Sequence, residues 1–199
     1  MSYYNYITTY FLVLATLFIT LGCQQEQPEK PEEPDPVRRK SPIAIAKTFH
    51  PETNTYIKIT YGQPSKRGRN IFGDIVPYNE VWRSGANEAT EITTTNDIRI
   101  GGEKLRAGTY SFFSIPRKNK PWTIVINSQL GQWGAFDYNK TYDVLRVDGK
   151  ARTKDKSTEI FTLQFTDIEN DSTNIVMEWD YTIVKIPVTF INSDPTSSE

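Results

Sequence analysis

Hydrophobic and polar residues alternate along most of the chain after residue 41. In residues 54–61, Ile57, Ile59 and Tyr61 fall on one face of an extended segment, and its other residues fall on the opposite face. A period of two is typical of strands with one buried face. The same period recurs in 161–165, 175–179 and 184–188. No stretch after residue 23 shows a helical period of about 3.6 residues.

These segments and the turn residues between them predict about ten short strands. The predicted strands are 43–49, 54–61, 90–95, 98–100, 110–115, 122–127, 144–147, 160–165, 175–179 and 181–190. Gly101-Gly102 is a typical two-residue hairpin turn. Many short strands separated by turns indicate a sandwich or barrel. We therefore predict an all-β fold: a single antiparallel β-sandwich of jelly-roll or Greek-key type over residues 41–191, followed by a flexible tail at 192–199.

The N-terminal segment is uncharged and apolar. Residues 1–22 contain no charged side chain, and the apolar run at 11–21 is shorter than the roughly 20 residues that span a bilayer. The run fits the hydrophobic region of a secretory signal. Its end, Thr-Leu-Gly-Cys at 20–23, resembles the lipobox of bacterial lipoproteins, in which the cysteine is lipid-modified and begins the mature protein. We predict a lipoprotein signal peptide at 1–22 and acylation of Cys23, palmitate included. An ordinary cleaved signal or a short membrane anchor is the alternative.

The segment after Cys23 predicts a tether. Residues 24–40 are rich in proline and charge, and Val37 is their one hydrophobic side chain. Such a composition cannot bury enough apolar surface to fold. We predict that 23–40 form a lipidated cysteine followed by a disordered linker. This layout predicts a cell-envelope protein held in the outer membrane by its lipid, on the periplasmic or the surface face, with the membrane as partner.

Composition excludes several classes of function. The formal net charge is −1, so nothing favours binding to phosphate backbones, and we expect no nucleic-acid partner. Cys23 and His50 are the single cysteine and the single histidine. Those counts exclude an intrachain disulfide and a zinc site built from several Cys and His ligands. We expect no metal and no cofactor, and we interpret His50 as a surface residue at a strand end.

Two long loops hold the candidate binding residues. The first spans 62–89 and the second 128–143, and both exceed the usual loop length of compact domains. Arginine recognises carboxylate and phosphate groups, and tryptophan offers a flat face to sugars or rings. If the loops lie at one end of the sandwich, they form a polar pocket with aromatic walls. The predicted ligand-binding residues are Arg67, Arg69, Trp82, Arg83, Asn87, Glu88, Trp133 and Asp137.

The two loops and the strands between them resemble a known family. The matching segments are YGQPSKRGRNIFGDIVPYNEVWRSGANEATEI (61–92), IGGEKLRAGTYSFFSIP (100–116), WTIVINSQLGQWGAF (122–136) and DVLRV (143–147). Together they are similar to bacterial lipoproteins of the family called domain of unknown function 2911. The resemblance implies a secreted or lipid-anchored β-domain, and it implies no activity.

Three functions are consistent with these residues. The preferred hypothesis is a non-catalytic envelope protein that binds a small polar ligand, a glycan or a protein. A second is a carboxylate-based hydrolase acting on a glycan, for which Glu80, Glu88 and Asp137 are available although their spacing selects no pair. A third is a structural envelope protein, in which Arg83 pairs with Glu88 or Asp74 and the tryptophans belong to the core.

Overall fold

A computed structural model describes residues 40–192 of the chain. The predicted signal peptide, Cys23, nearly all of the tether and most of the C-terminal tail lie outside these residues. Within the described part, no helix is long and apolar enough to span a bilayer.

Nine strands make up the domain, and all pair antiparallel. They are β1 (Ile43–His50), β2 (Thr55–Gly62), β3 (Thr90–Thr94), β4 (Ile98–Ile100), β5 (Glu103–Leu105), β6 (Gly108–Ile115), β7 (Trp122–Asn127), β8 (Asp143–Phe165) and β9 (Ser172–Phe190). A single 3-10 turn, Lys140–Tyr142, precedes β8. The predicted all-β fold is confirmed.

The strands follow the order β1-β2-β3-β6-β7-β8-β9-β4-β5. The first part of β8 pairs with β7, from Asp143 to Gly149, and the remainder pairs with β9 from Lys150 onward. β8 therefore passes from one layer of the sandwich into the other. Buried side chains of both layers form one core, which includes Ile57, Ile92 and Ile126 from the first and Met177 and Ile186 from the second.

Two predicted breaks are bends inside long strands. The predicted strands 144–147 and 160–165 belong to β8, and 175–179 and 181–190 belong to β9. The pairing register of the two strands shifts between Thr153 and Thr162, and Asp180 has a left-handed φ of 51°. Bulges of this kind bend a strand without ending it. The polar stretches that interrupt the alternation were predicted to separate strands, but in the structure they mark bends within one strand. The structure therefore has nine strands rather than about ten.

His50 is not on the surface, as the sequence analysis expected. Its side chain is 2% exposed, although it does end β1. The imidazole stacks on Phe190 of β9, with ring centroids 4.5 Å apart and planes 13° from parallel. That expectation was wrong because packing against the second layer covers the end of β1.

Candidate anion-binding pocket

The first long loop is fixed to the sheet through Trp82. The Trp82 N–H donates to the Ser114 carbonyl at 2.8 Å, and the Ser114 N–H donates back to Trp82 at 2.9 Å, so the loop adds a short bridge beside β6. The indole N–H donates to the carbonyl of Gly85 at 3.2 Å. The buried polar groups of this tryptophan are therefore satisfied within the loop and the sheet.

Aromatic packing holds the same loop against the core. Trp82 is 8% exposed and lies 5.2 Å from Phe161 and 6.0 Å from Trp179, measured between ring centroids. Phe72, also from the loop, contacts Trp82 and Trp122 edge-on at 5.9 and 4.8 Å. Rings at such distances and angles add to the stability that burial provides. The loop is thus an ordered part of the domain.

Glycine permits a close crossing where the loop returns to β3. The Ala86 N–H donates to the Gly62 carbonyl at 3.1 Å, at the end of β2. A Cβ atom at Gly62 would overlap the carbonyl oxygen of Ala86. Only glycine allows the two backbones to approach this closely.

The two long loops contact each other. A short antiparallel bridge joins Glu88 to Trp133. The Ala89 N–H donates to Gln132 at 2.9 Å, and the Gly134 N–H donates to Asn87 at 2.9 Å. Backbone hydrogen bonds therefore place the second loop beside the Arg83 segment.

A cavity of about 310 Å³ opens beside the first loop. Its lining residues are Lys40, Ser41, Pro64, Ser65, Arg67, Arg69, Ile75, Val76, Trp82, Arg83, Gly85, Ala86, Asn87 and Trp179. This set contains four cationic side chains and no aspartate or glutamate. Cations that line a concave surface without acids attract anions.

Arg83 is the buried cation of this cavity. Its side chain is half-buried, and its Nε is buried without a hydrogen-bond partner. No carboxylate of residues 40–192 forms an ion pair with it. Burial lowers the pKa of the Arg83 guanidinium, because desolvation disfavours the charged form. The pairing with Glu88 or Asp74 that a structural role would require is not formed.

Arg67 and Arg69 form the exposed rim of the cavity. The Arg69 guanidinium donates to the carbonyls of Lys66 and Ser65, at 2.9 and 2.8 Å, which ties the arginine to its own turn. The Arg67 guanidinium donates to the Lys40 carbonyl at 3.3 Å, and its backbone N–H donates to Glu159 at 2.7 Å. The rim therefore combines structural hydrogen bonds with positive charge.

A comparison with family models covers most of the chain. The family model described as "Protein of unknown function (DUF2911)" matches residues 41–188. The chain belongs to this family. No curated protein and no solved structure matches the chain. The match extends over both long loops of this DUF2911 domain and thus over the whole lining of the cavity except Lys40.

The cavity gathers most of the predicted binding residues of the DUF2911 domain. Arg67, Arg69, Trp82, Arg83 and Asn87 line it. The other three predicted residues do not: Glu88, Trp133 and Asp137 are exposed outside the lining. The Trp133 side chain is 58% exposed.

Sequence analysis missed several of the lining residues, among them Lys40, Ser65 and Trp179. Lys40 belongs to the predicted tether, Ser65 to the first long loop, and Trp179 to β9. The basic run that ends at Lys40 was the one available signal, because it directly precedes the first strand. Nothing in the local sequence relates Trp179 to the loop.

Proposed function

We propose that this domain binds a small anionic ligand, with a carboxylate or phosphate group, at the Arg83 cavity and without catalysis. The observation that carries the proposal is the buried, unpartnered Nε of Arg83. Buried polar groups nearly always have a partner, and a half-buried cation without one is costly. An anion that accepts from this guanidinium supplies the missing partner.

The geometry suits an anion with one charged group and a small body. Arginine offers a planar fork of donors that matches carboxylate and phosphate. Hydrogen bonds to charged groups contribute about 1.5–3 kcal/mol each. Arg67, Arg69 and Lys40 surround the fork with positive charge, while Ile75 and Val76 supply an apolar wall.

The lining argues against the hydrolase alternative at this cavity. Glycoside hydrolysis uses two carboxyl groups that flank the scissile bond. None of the lining side chains is an acid. The rings of Trp82 and Trp179 are almost fully buried, so neither offers an open face on which a sugar could stack.

The envelope location is part of the same proposal and rests on sequence. The apolar run, the lipobox-like Thr-Leu-Gly-Cys and the proline-rich segment at 24–40 support a domain tethered by lipid on Cys23. A ligand for such a protein is a soluble or surface-bound anion of the cell envelope.

Inorganic phosphate and citrate are the probes that test the cavity. We expect both to raise the melting temperature and to change tryptophan fluorescence in a saturable manner, since Trp82 and Trp179 line the site. Arg83→Gln should abolish both effects. Arg152→Gln, which removes an equal charge at an exposed strand position, should leave them unchanged.

Each outcome of this experiment is decisive. If neither probe binds to the wild-type protein, or if Arg152→Gln weakens binding as much as Arg83→Gln, the cavity is not the proposed anion site. A folded Arg83→Gln variant that still binds both probes also contradicts the proposal. Near-UV circular dichroism establishes that each variant is folded.

A further inference from the structure

A second cluster of chemically active side chains lies where two hairpin turns meet. His50 ends β1, Glu52 follows in the turn to β2, and Asp171 lies in the turn between β8 and β9. His50 Nε2 is 2.9 Å from Glu52 Oε2 and 3.1 Å from Asp171 Oδ1. The ligand atoms of the three residues all lie within 4.8 Å of one another. Turns from both layers thus converge on one ring nitrogen.

The imidazole is rigid, whereas the carboxylates are accessible. His50 is 2% exposed and stacks on Phe190, whose N–H donates to the Asp171 carbonyl at 2.8 Å. The side chains of Glu52 and Asp171 are 75% and 54% exposed. A fixed nitrogen below two solvent-facing carboxylates can be reached by an ion from water.

Thr53 can partner the other ring nitrogen in either tautomer of His50. Its amide N–H donates to Nδ1 at 3.3 Å, which requires an unprotonated Nδ1 and a ring proton on Nε2. Its Oγ1 is 2.9 Å from Nδ1 and donates to Thr55 Oγ1 at 2.8 Å, so it can also accept from a proton on Nδ1.

Without a metal, a ring proton on Nε2 can donate to the two carboxylates. A metal ion that takes the place of this proton would leave Nδ1 protonated, and Thr53 Oγ1 is placed to accept from it. A histidine held at one nitrogen by an oxygen acceptor, with the other nitrogen free to ligate, is the usual arrangement of a metal ligand.

We propose that His50, Glu52 and Asp171 bind a divalent first-row transition-metal cation such as Zn²⁺. Zinc–nitrogen and zinc–oxygen bonds of about 2.1 Å at tetrahedral angles separate the ligand atoms by about 3.4 Å. The separations from Nε2 are 2.9 and 3.1 Å, so the two exposed carboxylates would have to move outward only slightly to admit the ion. The imidazole selects such ions over Mg²⁺ and Ca²⁺, which prefer oxygen ligands. One histidine with two carboxylates is also a different ligand set from the cysteine–histidine sites that composition excludes.

The single histidine makes a direct spectroscopic test possible. The full chain is purified without a polyhistidine tag, treated with a chelator, and titrated with Zn²⁺ while the imidazole ¹⁵N resonances of His50 are recorded. We expect one equivalent of Zn²⁺ to shift the Nε2 resonance strongly and to leave a proton on Nδ1. An unchanged Nε2 resonance, or a ring that keeps protons on both nitrogens in excess Zn²⁺, would overturn the proposal.

Matched variants separate this site from adventitious surface binding. Glu52→Gln and Asp171→Asn each remove one ligand charge with little change of shape, and asparagine tolerates the φ of 58° at position 171. By calorimetry, each should weaken Zn²⁺ binding by at least about tenfold. Glu169→Gln removes an exposed acid from the same turn, outside the cluster, and should have no effect. Equal weakening by all three variants, or no saturable Zn²⁺ binding by the wild-type chain, would overturn the proposal.

Discussion

The indole of Trp82, in the first long loop, stacks on the indole of Trp179 in β9, with ring centroids 6.0 Å apart and planes 17° from parallel. This contact joins a segment without regular secondary structure to the core of the sandwich. It also forms the inner wall of the Arg83 cavity, because both residues line it. The order of the loop and the shape of the cavity therefore depend on the same pair of rings.

Removing the Trp82 ring should destabilise the whole domain. Trp82→Ala is expected to lower the free energy of unfolding by about 3–5 kcal/mol, because it leaves a cavity among three aromatic rings. Trp133→Ala removes the same side chain from a site that is 58% exposed and should cost less than about 1 kcal/mol. Urea denaturation measures both values. Similar losses for the two variants would contradict the core role of Trp82.

Arg83 should be dispensable for folding. Arg83→Met replaces a half-buried cation, whose Nε has no hydrogen-bond partner within residues 40–192, with an apolar chain. The free energy of unfolding should therefore stay constant or rise by up to about 1 kcal/mol. Binding of inorganic phosphate should be lost in the same variant. Stability is measured by urea denaturation and binding by calorimetry.

Arg146→Met is the matched control for that substitution. The Arg146 guanidinium donates to Asp143 and to the Tyr138 hydroxyl, both at 2.8 Å. Its removal should lower the free energy of unfolding by about 1–2 kcal/mol, because two charge-assisted hydrogen bonds are lost. If Arg83→Met proves as destabilising as Arg146→Met, Arg83 has a structural role and the binding proposal is weakened.

Acid should remove a small stabilising contribution at the start of β4. Lys104 lies 2.9 Å from one oxygen of Asp97, and the Ala107 N–H donates to the other at 2.9 Å. Both hold the pKa of the Asp97 carboxyl below its ordinary value of 3.8. The unfolded chain therefore binds this proton more readily. The stability that results is complete above pH 3.8 and is lost as the pH falls through the lower folded value.

Asp97→Asn tests that pH dependence. Between pH 5 and pH 2.5, the melting temperature of the wild-type protein should fall further than that of the variant. The difference should correspond to less than about 1 kcal/mol of stability, because the ion pair is solvent-exposed. Asp155→Asn, at an exposed position of β8, should retain the wild-type profile. Parallel profiles for the wild type and Asp97→Asn would contradict the assignment.

The proposed lipid anchor depends on one atom, the sulfur of Cys23. Cys23→Ser should move the protein from the membrane fraction to the soluble fraction, because serine cannot form the thioether that carries the lipid. Fractionation followed by mass measurement of the mature chain reports both location and acylation. Continued membrane association of the Cys23→Ser protein would show that another segment anchors it.

Much of the fold was predictable because the alternation of buried and exposed residues is a local property. The faces of β2 and of residues 184–188 in β9 and the Gly101-Gly102 hairpin match the prediction, since each follows from neighbouring residues alone. The merging of four predicted strands into β8 and β9 was not predictable in this way. A bulge and a true strand end both interrupt the alternation, and only the partner strand distinguishes them.

The candidate sites, like the fold, were only partly predictable from the sequence. The local richness of the two loops in arginine and tryptophan singled out Arg67, Arg69 and Arg83 as candidates, although no residue of the second loop lines the cavity. Sequence alone thus determined that this chain forms an antiparallel β-domain with two unusual loops. Tertiary structure alone decided that Trp179 closes the cavity behind Arg83 and that His50 meets Asp171. Those residues are distant in the chain, and the crossing of β8 between layers brings them together.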